Sequence, residues 1–426
     1  PILGDEIAQA ARRAAEHVAD RGLDAREVAL RRERGQFDHG RGDFLMHSAG
    51  HHGRFRVIGR QRRTGDGSPG RLGQDSRDIF AGTANPDAPK AEGETMTNPD
   101  FADTLDALTR EGEDLFYRGE IASAIAGDCL SGGGLLSIAD FEEYRAHQRH
   151  PLSVDYRGMR MYTNPPPSSG GILIAFALEL LKGMDMRGLS FGTPAYLERL
   201  AKVMELTNKA RIESGIHETT GSLLDPDFLA IYKSEILDKP QVHRGTTHVS
   251  IIDAAGNAAS LTVSNGEGAG YIAPGTGIML NNMLGEEDIN PAGFHHWPED
   301  TRICSMMAPS LVIGEDGASV AALGSGGANR LRTAILQVLV NLLDFGLPVK
   351  DAVDAPRLHF EGGLLNIESG FDGDAEAGLQ AAFPETKLWD QRNLFFGGVH
   401  VARFDAPTGE FTGAGDPRRG GDAAVV

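Results

Sequence analysis

A hairpin signature occupies the middle of the sequence, in "QVHRGTTHVSIIDAAGNAASLTVSNGEG" from Gln241 to Gly268. The segments "HVSIID" and "AASLTVS" have the β-branched and alternating composition of half-buried strands. The connecting letters "AAGN" include Gly256 and Asn257, which suit a tight turn. The sequence therefore predicts two antiparallel strands, and the first of them begins just after Thr246.

Thr246 stands at the front of the first predicted strand, directly after Gly245. A threonine hydroxyl is a weak nucleophile until a base lies beside it. A free α-amino group, with an ordinary pKa of about 7.7–8.0, can be that base. Cleavage of the Gly245–Thr246 bond would give Thr246 both groups, and glycine tolerates the strained backbone that such a cut needs. Taken alone, the stretch favours an ordinary threonine at the start of a strand.

A second motif, "LGSGGANR" (323–330), joins a predicted strand to the apolar helix "RTAILQVLVNLLDFG". A glycine turn before a helix exposes backbone N–H groups that can hold a developing oxyanion. Gly326 and Gly327 would let a substrate reach that backbone. A tight packing turn explains the same letters, whereas a phosphate loop is disfavoured because no Lys-Ser/Thr pair follows the glycines.

Two further stretches have polar groups with alternative explanations. In "TRICSMMAPS" (301–310), Ser305 can bind a polar substrate group or can be a satisfied serine in a buried strand. In "FHHWPED" (294–300), His295 and His296 lack a third ligand at helical spacing, so a loop is the favoured interpretation. We expect no metal site.

Composition limits the possible partners. The net charge of −19 disfavours nucleic acid and anionic membrane surfaces. The longest apolar run, "ILIAFALELL" (172–181), is too short to span a bilayer. Two cysteines, Cys129 and Cys304, have no partner at metal-ligand spacing and do not fix the redox compartment. No leader sequence is visible, so a signal peptide is either absent or already removed.

The front of the chain differs from the rest. Residues 1–90 carry 16 Lys and Arg against 13 Asp and Glu, whereas residues 91–426 carry 25 against 47. Residues 1–33 contain a helical pattern, but the segment from about 35 to 90 has no period. This segment is interpreted as loop or disorder, or as the product of a frame error in the gene.

Other elements are predicted from local patterns. Helices are expected at "NPDFADTLDALTREGEDLFY", at "PAYLERLAKVMELTNKARIES" and behind the loop "PPPSSGG". Ser137 and Asp140 have capping-box spacing. "LSVDYRGMRMYTN" is typical of a hairpin, and "TGIMLNNM" and "MAPSLVIGEDGASVAALG" predict further strands. Helices on both sides of a run of strands indicate layered packing.

The motifs together, in this order, resemble the γ-glutamyltranspeptidase family of N-terminal-nucleophile hydrolases. They are "PLSVDYRG", "PPPSSGG", "TTHVSIIDAAGN", "TGIMLNN", "MAPSLVI", "GSGGANR", "LQVLVNLLDFG", "VDAPRLH" and "GAGDPRR", and the resemblance covers about residues 93–426. It implies an α+β fold, a four-layer αββα sandwich with two central antiparallel sheets. It also implies self-cleavage between Gly245 and Thr246 into segments 1–245 and 246–426, which stay associated in one domain; residues 1–92 are atypical.

The resemblance assigns roles to individual residues. Thr246 matches the nucleophile, and Ser264 matches a hydroxyl residue that hydrogen-bonds it. Gly327 and Ala328 match the pair whose N–H groups form the oxyanion hole. Ser305 matches the first of two serines that hold the donor's α-carboxylate, where Met306 replaces the second. Asn265 or Gly266 matches an adjoining asparagine.

Further substrate contacts follow from the same resemblance. Glu286 occupies the position of an acid that grips the donor's α-amino group, with Glu287 and Asp288 close by, and Met283 replaces a glutamine. Arg60 is the candidate for the arginine that clamps the α-carboxylate.

The implied activity is transfer of a γ-glutamyl group from a glutathione-like donor to water or an amino acid, through a threonyl ester and without a cofactor. Met283 and Met306 leave open a related acylase that acts on a poly-γ-glutamate or a cephalosporin side chain. The altered front leaves open an inactive remnant that only binds a partner. Relatives are often exported, so a periplasmic or secreted location is implied; without a removed leader the location would be cytoplasmic.

Overall fold

Groups of helices are followed by groups of strands along the chain. The computed structural model describes residues 76, 79–86, 88–91, 93–214, 224, 245–266, 268–285, 302–315 and 317–425. The helices are α1 (Pro99–Glu111), α2 (Asp114–Tyr117), α3 (Glu120–Ser131), α4 (Ile138–Glu143), α5 (Ser169–Lys182), α6 (Pro194–Glu213), α7 (Arg330–Leu343), α8 (Val349–Asp354) and α9 (Gly373–Ala382). The strands are β1 (Leu152–Tyr156), β2 (Met159–Thr163), β3 (Gly245–Ile252), β4 (Ala258–Gly266), β5 (Ser310–Gly314), β6 (Val320–Gly326), β7 (Leu358–Glu361), β8 (Leu364–Ile367), β9 (Thr386–Leu388), β10 (Gly398–Asp405) and β11 (Glu410–Ala414).

A six-stranded sheet forms the centre, with the strand order β1-β2-β5-β6-β10-β11. Every neighbouring pair in this sheet is antiparallel. Strands β1 and β2 precede residue 245, and the other four follow residue 246, so both halves of the sequence contribute to one hydrogen-bonded sheet. The described fold is therefore mixed α+β with antiparallel sheets, as the sequence predicts at this level.

Helices α5 and α7 cover one face of this sheet, and α6 packs against α5. The side chains of Leu323, Val399 and Val401 point into the core between the sheet and the helices. Almost every residue of α5 and α7 is buried, because both helices lie between the sheet and other elements. A smaller three-stranded sheet, β7-β8-β9, packs beside α6 and α7.

The hairpin β3–β4 packs against the opposite face of the central sheet, mainly over β6 and β10. The approach is close because β6 has glycine at alternate positions. A Cβ on Gly324 would overlap the ring of His248, and a Cβ on Gly326 would overlap the main-chain carbonyl of Thr246. Glycine in a strand interior often marks such a close approach of another backbone.

The two faces of the hairpin differ in polarity. The face toward the sheet carries hydroxyl and imidazole side chains, among them Thr246 and His248. The outer face carries Ile251, Leu261 and Val263, which are 57%, 58% and 53% exposed. The hairpin thus presents its apolar side away from the central sheet, a patch of a kind that usually marks an interaction surface.

Most local predictions are confirmed. Helix α1 begins at Pro99, and the capping box of Ser137 and Asp140 is present. The turn between β3 and β4 is as predicted, with a hydrogen bond from the N–H of Gly256 to the carbonyl of Asp253. The prediction of a strand over "TGIMLNNM" is wrong, because this stretch is irregular apart from the isolated bridge between Ile272 and Met279. Residues 1–75 lie outside the described residues.

The close approach at β6 predicts a stability effect. Replacing Gly324 with alanine puts a methyl group where the His248 ring lies, so the free energy of unfolding should fall by about 1–3 kcal/mol. Urea unfolding measures this change. The matched control is Gly373→Ala at the start of α9, where a Cβ meets no atom within 4 Å and no loss is expected. Equal stability of both variants would contradict the close approach.

Candidate active site

Thr246 is buried at the start of β3, opposite Ser264 on β4. The two side-chain hydroxyl oxygens lie 3.1 Å apart, within hydrogen-bond distance. The N–H of Gly266 donates to the hydroxyl oxygen of Ser264 at 3.1 Å, which fixes that side chain. The sequence-predicted pair of hydroxyl groups is therefore brought together by strand register, and Ser264 can exchange a hydrogen bond with Thr246.

The pairing of the hairpin is irregular at its open end. Gly245 faces Gly266 and Thr246 faces Ser264, so Asn265 is an extra residue on β4. The main-chain carbonyl of Asn265 accepts hydrogen bonds from the N–H groups of Gly268 and Asn282, each at 2.9 Å. A bulge of this kind re-aims neighbouring side chains. The side chain of Asn265 is exposed.

The glycine turn after β6 lies next to Thr246. Gly327 has φ +129° and Ala328 has φ +48°, both in the region that favours glycine. A Cβ on Gly327 would meet the Cα of Gly397 at 2.9 Å, which explains glycine at 327. Within the described part of the chain, no residue accepts a hydrogen bond from the N–H of Gly327 or Ala328. Two donors at the start of a helix can therefore serve an oxyanion.

Arg419 also reaches Thr246 and was missed as a site residue by the sequence analysis. Its Nη1 donates to the main-chain carbonyl of Thr246 at 3.5 Å. Burial lowers the pKa of this guanidinium. The sequence motif that could have indicated Arg419 is the closing "GAGDPRR". Its Asp416 forms a salt bridge with Arg357 of "VDAPRLH" at 2.7 Å. Two distant motifs thus meet in this ion pair, and the closing one brings Arg419 to Thr246.

Two imidazoles, those of the buried His248 and the half-buried His400, lie where β3 packs against β10. The rings of His248 and His400 are parallel, with centroids 6.5 Å apart. His248 bonds through Nδ1 to Thr262 and through Nε2 to Ser250, both at 2.8 Å. Burial, together with the neighbouring His400, lowers the pKa of His248 to about 3. His248 is therefore neutral at neutral pH and links the two strands of the hairpin.

Ser305 lies on a segment that pairs with the "PPPSSGG" loop. Its main-chain carbonyl accepts a hydrogen bond from the N–H of Ser169 at 2.9 Å, and Ser168 forms a bridge with it. Ser305 is half-buried, whereas Met306 points into the core and accepts a hydrogen bond from the hydroxyl of Ser169 at 3.3 Å. Only the first position of the expected serine pair is thus available to a ligand.

The assembled site contains a hydroxyl pair, two backbone N–H donors and a half-buried guanidinium. This set is suited to attack of a hydroxyl on a carbonyl and to stabilisation of the resulting negative charge. A family model described as "Gamma-glutamyltranspeptidase" matches residues 60–426. The chain belongs to the γ-glutamyltranspeptidase family.

Individual relatives within the γ-glutamyltranspeptidase family support the assignment. The chain is 31% identical over 371 residues to the glutathione hydrolase proenzyme of Escherichia coli (strain K12), covering 78% of the chain and 62% of the relative. It is 30% identical over 363 residues to the acylase ACY 1 proenzyme of Pseudomonas sp. (strain SE83), covering 79% and 63%. The chain thus spans slightly less than two thirds of the length of these curated relatives.

A solved structure shares the fold of this γ-glutamyltranspeptidase-family chain. The cephalosporin acylase from Bacillus halodurans is 25% identical and superposes with a TM-score of 0.72 over 84% of the chain and 68% of the acylase. The family therefore includes relatives named for two different kinds of acyl donor.

Several predicted residues of the family site lie outside the described residues, namely Arg60, Glu286, Glu287 and Asp288. His295 and His296, which the sequence assigns to a loop, also lie outside them. Within the described ranges, no group of three or more potential metal ligands occurs, and no helix is long and apolar enough to cross a membrane.

The buried, neutral His248 predicts a pH dependence of stability. The folded pKa of His248 is about 3 against an ordinary 6.5, so the unfolded chain binds more protons between these values. The free energy of unfolding should therefore rise with pH from about 4.5 to 6.5, by up to about 1.4 kcal/mol per pH unit for this residue. Urea unfolding across this range measures the slope. In His248→Asn the slope should be smaller; an unchanged slope would contradict the burial of a neutral His248.

Proposed function

We propose that the chain cuts itself between Gly245 and Thr246 and that Thr246 then acts as an N-terminal nucleophile in acyl transfer from an amide donor. The observation that carries this proposal is the position of Thr246. Its hydroxyl lies within hydrogen-bond distance of the Ser264 hydroxyl, and its main-chain carbonyl lies against Gly326, just before the glycine turn. An ordinary strand threonine would not need this set of neighbours. The relatives whose names include "proenzyme" give independent support.

Self-cleavage begins when the Thr246 hydroxyl attacks the carbonyl carbon of Gly245. The C–N bond breaks as the acyl group moves to the threonine oxygen, and the nitrogen takes up the proton of the hydroxyl. Water then hydrolyses this ester, leaving a carboxylate on Gly245 and a free amino group on Thr246. Ser264 holds the attacking hydroxyl, and the irregular pairing at Gly245 and Thr246 lets the strand deviate from regular geometry there.

Catalysis then uses the new amino group. It takes the proton from the Thr246 hydroxyl as the oxygen attacks the donor's amide carbonyl, because its ordinary pKa lies near neutrality. The N–H groups of Gly327 and Ala328 stabilise the oxyanion. The amine leaves with a proton, and water or an amino-acid amine resolves the threonyl ester.

A γ-glutamyl amide is the first candidate donor. Ser305 would contact its α-carboxylate. Asn265, the extra residue of the bulge, would be a further contact. Arg60 and Glu286 are assigned by family resemblance alone. The likeness to a glutathione hydrolase proenzyme supports this choice.

A different acyl donor is the second candidate. The burial of Met306 in the core removes one hydroxyl from the expected contact with the donor, so a donor without the full α-amino acid head group of a γ-glutamyl amide loses less in this site. The likeness to proteins named as an acylase and a cephalosporin acylase supports this alternative.

Both segments, 1–245 and 246–426, would stay together after the cut. Strand β2 from the first segment pairs with β5 from the second over Met159–Thr163, within a buried sheet. The four-layer αββα arrangement belongs to the same proposal. It is supported by the hairpin stacked on the central sheet and by the apolar outer face of that hairpin, which a further layer would cover.

Denaturing gel electrophoresis tests the cleavage. We expect the purified protein to give fragments of 245 and 181 residues, and Thr246→Ala to give one uncut chain because no hydroxyl remains to attack. Thr247→Ala is the matched control, since the neighbouring side chain lies on the exposed face of the strand, and it should cleave normally. An uncut, inactive wild-type chain would favour the remnant.

A pair of chromogenic amides tests the donor. γ-Glutamyl-p-nitroanilide and glutaryl-p-nitroanilide differ in the α-amino group that a γ-glutamyl donor carries. We expect a larger kcat/KM for the γ-glutamyl compound if that group is bound, by about tenfold for each 1.4 kcal/mol of contact. A preference for the glutaryl compound would support the second candidate instead.

A further inference from the structure

A buried charged cluster lies directly behind the glycine turn and is not part of the site described above. Its members come from three elements, α6, the start of α7 and β7. They are Asn208, Arg211, Asn329, Arg332, His359 and Glu361, and each is nine-tenths or more buried. Such clusters are costly to bury unless every charge is well paired, so this one requires an explanation beyond stability.

Glu361 is the acceptor at the centre of the cluster. Its carboxylate accepts hydrogen bonds from Arg211 at 3.0 Å and Asn329 at 2.9 Å, and it lies 3.1 Å from Nε2 of His359. Burial opposes ionisation, but the charge of Arg332 and the bond with His359 bring the pKa of Glu361 to about 2. The carboxylate is therefore ionised, and its orientation is fixed from three sides.

Asn329 is held at both its side chain and its main chain. The Nδ2 group donates to Glu361, and the main-chain carbonyl accepts from Nη1 of Arg332, each at 2.9 Å. Asn329 directly follows Ala328 and precedes the first residue of α7. The cluster therefore fixes Asn329, the residue that joins the glycine turn to α7.

Ala328 needs such support. Its φ of +48° is unfavourable for a residue with a Cβ, and such strain persists only where the surrounding structure imposes it. Its N–H is one of the two donors assigned to the oxyanion. A small rotation at this residue would turn that donor away from the reacting carbonyl.

We propose that Glu361 and Arg332 are positioning residues that hold the oxyanion turn through Asn329. The inference rests on the proposed function, because it concerns the turn that stabilises the transition state. These residues touch neither the donor nor the nucleophile. Their loss should lower kcat and leave KM nearly unchanged, since the oxyanion exists only in the transition state and intermediate.

The test uses Asn329→Ala, which releases the contact with Glu361, and Arg332→Met, which releases the main-chain carbonyl. Arg332→Met leaves Arg211 and Glu361 as a charge-balanced pair, so the fold should persist if Asn329→Ala proves unstable. With whichever p-nitroanilide the wild type hydrolyses, kcat per cleaved chain should fall by about 10- to 100-fold, with KM changed by less than about threefold.

Asn341→Ala is the matched control. Asn341 is another buried asparagine and lies within α7, where it donates to the carbonyl of Ala352 at 3.1 Å and accepts from Tyr196 at 3.3 Å. It should lose stability in urea unfolding but keep its kcat. A general packing role would lower kcat equally in all three variants or raise KM alone, and either result would overturn the proposal.

The same experiment separates the two levels of inference. If Thr246→Ala keeps the activity, the proposed function is wrong. If Thr246→Ala is inactive and the folded Asn329→Ala and Arg332→Met variants keep the wild-type kcat, the function stands and the positioning role is wrong.

Discussion

The close contact between the hairpin and the central sheet determines most of the site. Because β6 presents Gly324 and Gly326 toward β3, the two backbones approach within a distance that any side chain would prevent. This approach brings the carbonyl of Thr246 beside the turn that follows β6. The reactive geometry is thus a consequence of missing side chains as much as of the polar ones.

Buried ionic groups hold the walls of the site in place. On one side, Asp416 pairs with Arg357 and Arg418 and accepts the N–H of Val399, which fixes the final turn that carries Arg419. On the other side, Glu361 organises the start of α7. Removing one partner of such a network is strongly destabilising, whereas the intact network adds little net stability. These networks instead fix the orientation of a few backbone groups, such as the N–H of Val399 and the carbonyl of Asn329.

The sequence predicted those parts that depend on neighbouring residues. The hairpin, the capping box at Ser137 and the strand–turn–helix around Gly327 each follow from a short sequence pattern. The register of the hairpin strands then brings Thr246 and Ser264 together. The strand prediction for "TGIMLNNM" failed because its apolar residues pack against α2, α3 and α4 as an irregular segment. The contacts of Glu361 were not predictable, since Arg211 lies 150 positions away and Asn329 lies 32 away. Single-sequence patterns contain no information on such distant partners.

The central sheet draws strands from both sides of residue 245, and this has a consequence for assembly. While the chain is continuous, β1 and β2 find β5 as parts of one molecule, and the search is limited by loop closure. Once the backbone is cut, unfolding releases two separate polypeptides, and recovery becomes a slower encounter that depends on concentration. A processed molecule of this design would be made correctly once and would then owe its lifetime to the height of its unfolding barrier.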